Sequence, residues 1–162
     1  DLVLYSGLKG DANMPVVTTD ALVEGVKREK VMEWLSEPRN HGRALAEAFS
    51  SFSPDRDNSW RVELSGPPRP VKIHYLFERP DTSHSGRRVL CRVVGKRVQG
   101  SLTWSLRTEK PSTNTRVTLH HDYKAGRFLG PLLDAAGTRQ ALESAWQDVV
   151  NKAAAEIMRD LK

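Results

Sequence analysis

Residues 139–162 carry the spacing of one long amphipathic helix, and they follow six segments that all read as antiparallel strands. That order of elements leaves few folds open. Leu142, Ala145, Trp146, Val149, Val150, Ala153, Ile157 and Leu161 recur at the three-and-four spacing that gathers apolar side chains on one helical stripe. Glu143, Asp148, Lys152, Arg159 and Asp160 occupy the other face. At a rise of ~1.5 Å per residue the helix is about 36 Å long, enough to cross a small sheet. Its apolar stripe needs a large concave partner.

Strand-like runs supply that partner at about 46–52, 60–65, 71–79, 87–95, 98–109 and 115–124. Turn chemistry bounds them: Pro54 to Asn58, Gly66-Pro67-Pro68, Pro80 to Ser83, Gly95-Lys96, and Pro111 to Asn114. Connections this short favour neighbouring antiparallel strands over crossovers. Ahead of them, the β-branched run at 16–26 predicts a first strand. Residues 27–35 then switch to helical spacing through Val31, Trp34 and Leu35. Pro38 opens a second short helix over 38–45, in a first turn where a missing N–H does no harm. Residues 1–13 lack a period and precede Met14-Pro15, so they are set aside as an N-terminal extension or cloning remnant. Residues 14–162 are expected to form a single domain.

Strand parity assigns faces, because successive side chains alternate sides. Trp60, Val62 and Leu64 share one face, as do Val71, Ile73, Tyr75 and Phe77, then Leu102, Trp104 and Leu106, and then Val117, Leu119, His121 and Tyr123. These rows are expected to face inward. In the 87–95 run, Val89, Cys91 and Val93 compete with Leu90 and Val94, so parity leaves that strand open.

Composition excludes several functions. No run approaches the roughly 18 apolar residues of a membrane span, and a cytoplasmic location is expected. The single cysteine, Cys91, has no partner for an internal disulfide and reads as a reduced core residue. The 25 Lys plus Arg against 20 Asp plus Glu give a formal charge of +5, a weak bias towards anionic partners. Arg87, Arg88, Arg92, Lys96 and Arg97 cluster in one hairpin but interleave with Val and Leu, as the wet face of a strand does. Nothing adds the stacking aromatics or recognition helix of a nucleic-acid reader, so no nucleic acid is expected.

Catalytic and cofactor signatures are equally thin. His120 and His121 are adjacent on a strand and point to opposite faces, so one ion cannot readily use both, and no metal is expected. His74, His120 and Asp122 share the outward parity as a scattered wet-face trio. Inward positions hold almost no Asp or Glu for paired acid–base work. A Gly-x-Ser-x-Gly turn and phosphate-cradling glycine loops are both missing, and no cofactor is expected.

One strand, two short helices, six antiparallel strands and a long C-terminal helix resemble the START-like helix-grip (SRPBCC) superfamily, over nearly the whole chain from about Val16. The run from Val26 to Leu35 is similar to the strand exit and first helix of its bacterial polyketide-cyclase-like members. The Trp104 strand, Gly130-Pro131 and the Trp146 helix fit as well. The resemblance implies an α+β helix-grip fold: a curved seven-stranded antiparallel sheet wrapped around the C-terminal helix, with two short helices after the first strand. It further implies a cavity between sheet and helix, which in many relatives holds a lipid, polyketide, sterol, quinone or other apolar molecule.

The residues agree with such a cavity. Tyr75, Phe77, Trp104, Leu119, His121, Tyr123, Trp146, Val149 and Val150 are its expected ligand-binding wall. The same aromatics also suit a filled core, and both readings stay open. Tyr75, His121 and Tyr123 sit on apolar rows, where an unpaired polar group costs roughly 1–3 kcal/mol, so each needs a partner in the protein or in a ligand. His121 is the candidate for moving a proton in a cyclisation or dehydration. Phe128, Leu129 and Leu132, around the Gly130-Pro131 hinge, read as a cap on the core or as a gate to the cavity.

The expected function is therefore binding of a hydrophobic small molecule or lipid, as carrier or sensor. A polyketide cyclase or dehydratase using the same cavity is the alternative. A quinone- or membrane-associated accessory protein is the second, with weak contact to an anionic membrane surface left open. The sequence sets no oligomeric state.

Overall fold

Alternating inward and outward residues build one antiparallel sheet in the computed structural model, which describes residues 16–49, 51–55, 58–64, 71–77, 88–94, 98–111, 113–125 and 136–162. Its strands are β1 (Val16–Val23), β2 (Ser51–Pro54), β3 (Ser59–Leu64), β4 (Val71–Phe77), β5 (Arg88–Val94), β6 (Val98–Glu109) and β7 (Asn114–Ala125). They lie in the order β1-β7-β6-β5-β4-β3-β2. Sequence neighbours from β2 to β7 pair in a meander, and β1 closes onto β7 with Val17 opposite His121. The helices α1 (Arg28–Leu35) and α2 (Pro38–Ala48) fill the β1–β2 connection. The C-terminal helix α3 (Ala136–Leu161) packs against β1 and α2.

Parity assigned the faces correctly wherever side chains are described. Trp60, Val62, Ile73, Tyr75, Leu102, Trp104, Leu106, Val117, Leu119 and His121 are all buried, and Phe77 is partly so. On β5, Val89 is fully buried and pairs with Trp104, which selects one of the two faces left open there. Leu64, Val71, Tyr123 and Cys91 have side chains outside the described residues.

Some details differ from the sequence expectation. The run at 46–52 is not one strand: α2 continues to Ala48, and β2 starts only at Ser51. Ala44, Leu45, Ala46, Glu47 and Ala48 are strong helix formers, and packing of α2 on α3 rewards the extra turn. The last helix starts earlier than expected, at Ala136 rather than at residue 139. Leu161 belongs to the apolar stripe by spacing but is 39% exposed.

Tight local fits set the helices in place. The turn after β1 uses Gly25 at φ 72°, a conformation that costs a side chain roughly 1 kcal/mol or more. Asn114 Oδ1 accepts its N–H at 3.0 Å, and Thr115 Oγ1 donates to the Val26 carbonyl at 2.8 Å, tying this turn to β7. On α2, a Cβ built at Gly42 would stand 2.7 Å from the indole nitrogen of Trp60. The helix therefore lies directly on that ring. Gly42→Ala is expected to destabilise the fold by about 1–3 kcal/mol despite its better helix propensity, read as a lowered urea midpoint.

An ionic cluster pins α2 to α3. The buried Glu156 carboxylate accepts from Arg43 of α2 and from Arg159 at 2.5 Å, with Lys152 at 3.4 Å. Arg43 also reaches Asp160 at 2.9 Å, and the Trp34 indole N–H donates to Asp160 at 3.0 Å. Hydrogen bonds from Arg43, then Trp34, hold the Asp160 carboxyl down to about 2. Spacing alone does not reveal this cluster, because Glu156 follows Ala153 and Ala154 on the apolar stripe and its partner Arg43 is 113 residues away.

Candidate functional site

The inner face of the sheet and the apolar stripe of α3 meet around Trp146. Its ring is fully buried and lies edge-to-face with His121 at 5.3 Å and with Phe49 at 5.4 Å, and Tyr75 is 6.3 Å away. Val149 and Val150, one turn on, are buried too. Tyr75 in turn contacts Trp60 at 5.4 Å. Strand β4 supplies Tyr75 and Phe77, β6 supplies Trp104, and β7 supplies Leu119 and His121. The helix spacing and the strand parity therefore converge on one interior.

His41 of α2 completes this interior, and sequence reasoning missed it. It is 2% exposed and lies 4.8 Å from Phe77 and 5.5 Å from Trp104 between ring centroids. One tautomer satisfies its contacts: Nε2–H donates to the Leu35 carbonyl at 2.5 Å, while Nδ1 accepts from the Tyr75 hydroxyl at 2.8 Å. The Trp104 indole N–H reaches the Tyr75 oxygen at 3.5 Å. Tyr75 thus has the protein partner that its buried hydroxyl requires. The available signal was periodicity, since His41 precedes Ala44 and Leu45 at the three-and-four spacing of a buried helical face.

Burial sets the charge state of both inner imidazoles. It lowers His41 to about 4, against a smaller upward pull from the Leu35 carbonyl, and it lowers His121 to about 4. Both rings are neutral at physiological pH. His120, the residue before His121, sits on the opposite side of the strand, where its Nδ1 is 3.2 Å from Thr18 Oγ1. Among the described residues, the interior around Trp146 is aromatic and its imidazoles are neutral.

The structure brings together Tyr75, Trp104, Leu119, His121, Trp146, Val149 and Val150 as buried groups, with Phe77 packed at their edge. The Tyr123 side chain and all of Phe128, Leu129 and Leu132 lie outside the described residues. A groove of about 470 Å³ opens elsewhere, between α2 and the β2–β3 hairpin, lined among others by Pro38, Arg39, Gly42, Arg43, Phe52, Asp55 and Trp60. None of the expected ligand-binding residues lines it. Its charges are already engaged, Arg43 by Glu156 and Asp160, and Asp55 by Arg61 at 3.2 Å. Among the described residues, no three of His, Cys, Asp and Glu gather as a metal site, and no helix is long and apolar enough to cross a membrane.

Solved structures share this fold. The aromatase/cyclase Zhui from a Streptomyces species superposes with a TM-score of 0.60 at 16% identity, over 93% of this chain and 97% of its own. Norcoclaurine synthase from Thalictrum flavum does so with a TM-score of 0.56 at 13% identity, over 96% and 99%. A Thermus thermophilus protein gives 0.62 at 12% identity, over 91% and 100%. No protein-family model and no curated protein sequence matches the chain. At such identities the likeness is one of fold, and the protein has the helix-grip fold.

Proposed function

We propose that the protein binds a hydrophobic small molecule or lipid between the sheet and α3, as a carrier or sensor. The observation that carries this reading is the neutral aromatic cluster around Trp146, where Tyr75, Trp104 and His121 present polar tips inside an apolar interior. A scaffold core is built more simply from aliphatic side chains, whereas apolar walls with a few fixed polar atoms suit a ligand. The occurrence of an aromatase/cyclase and a norcoclaurine synthase on the same fold supports a small organic ligand. In this reading the sheet curves around α3, Tyr75, Phe77, Trp104, Leu119, His121, Tyr123, Trp146, Val149 and Val150 line the site, and Phe128, Leu129 and Leu132 gate it.

Native mass spectrometry before and after organic extraction tests the proposal. The purified protein is expected to carry an apolar adduct that extraction removes, and the emptied protein to bind the neutral dye Nile red. A protein that is empty from the start and leaves Nile red unbound contradicts it.

A further inference from the structure

Resting on that reading, we propose that the Trp146 indole N–H is the donor that orients the bound molecule, and that this molecule is uncharged and presents a carbonyl oxygen. Trp146 is fully buried, and its Nε1 has no hydrogen-bond acceptor among the described residues. Two other indoles of this chain are matched: Trp34 donates to Asp160 at 3.0 Å and Trp104 to Tyr75 at 3.5 Å. A buried donor without an acceptor calls for a partner, because its desolvation is otherwise uncompensated. The Trp146 ring is held on the inner side of α3 by Phe49, Tyr75 and His121, so its position is fixed while its N–H is unmet. The indole can only donate, so its partner must accept.

The surroundings decide the charge of that acceptor. Inward positions on β3, β4, β6 and β7 hold no Lys, Arg, Asp or Glu among the described residues. The imidazoles that face the site, His41 and His121, are neutral because burial depresses both. The buried carboxylate of Glu156 is taken up by Arg43, Lys152 and Arg159 at the α2–α3 contact. A carboxylate head would lose its hydration here with no counter-charge, while a ketone or ester oxygen loses little and gains the indole N–H.

Three probes of nearly one shape separate these terms: 2-acetylnaphthalene, 2-ethylnaphthalene and 2-naphthoate, titrated at neutral pH into protein carrying 15N in its indoles. The ketone is expected to move the Trp146 indole proton downfield and the hydrocarbon to leave it nearly in place. In the native protein, 2-naphthoate is expected to bind at least roughly tenfold more weakly than the ketone. Trp146→Phe is expected to weaken the ketone by roughly 3- to 10-fold and the hydrocarbon by less than about twofold. Equal losses for the two, or an unmoved Trp146 resonance, or 2-naphthoate binding as tightly as the ketone, overturns this inference and leaves the binding function standing. If neither Nile red nor any of the three binds, the binding function itself fails and this inference with it. The indole shift in native protein decides between these outcomes even where Trp146→Phe does not fold.

Discussion

Acidification from about pH 7.5 to about pH 5 is expected to cost the fold about 4 kcal/mol, about 2 from each of His41 and His121. Both imidazoles have folded values near 4, below the ordinary 6.5 that an unfolded chain shows. Between those limits the unfolded chain binds protons that the folded protein refuses. Stability is therefore complete above about pH 6.5 and drains away as the pH falls towards 4. The carboxyls of Asp160 and Glu109, held near 2 by their arginine partners, give up their contribution only below this window. Urea unfolding at the two pH values measures the loss, and His121→Leu is expected to remove about half of it. A fold equally stable at both would mean that the two rings are not buried as neutral groups.

Trp146→Ala is expected to destabilise the protein by about 3–5 kcal/mol, the upper range for a buried side chain. The indole is fully buried and touches Phe49, Tyr75 and His121, so its loss opens a hole that rings of fixed position cannot close. Equilibrium denaturation checks the magnitude. Leu161→Ala serves as the control on the same helix: it is 39% exposed and is expected to change stability by less than about 0.5 kcal/mol. Comparable losses at both positions would mean that α3 is held by propensity rather than by its aromatic contact.

The architecture was legible in the sequence because it rests on periodicity. Alternation on β3, β4, β6 and β7 named the buried rows, and the three-and-four spacing on α3 named Trp146, Val149 and Val150. What was illegible depends on partners far away in the chain. His41 gained its meaning only when α2 came to lie on Tyr75, and Glu156 only when Arg43 faced it across two helices. Gly42 is another case, since its reason is a ring that approaches from β3. Periodicity shows which side of an element is wet, and hydrogen-bond partners follow from tertiary placement. The second helix runs on to Ala48 for a similar reason, because contact with α3 adds to the helix propensity of its last turn.

The interior between sheet and α3, and not the outer groove, is the proposed seat of the ligand. Isotope-filtered NOE spectroscopy of the protein with 2-acetylnaphthalene tests that placement most directly. Contacts are expected from the ligand protons to the rings of Trp104, His121 and Trp146. Contacts confined to Phe52 and Trp60 in the groove beside α2 would contradict it.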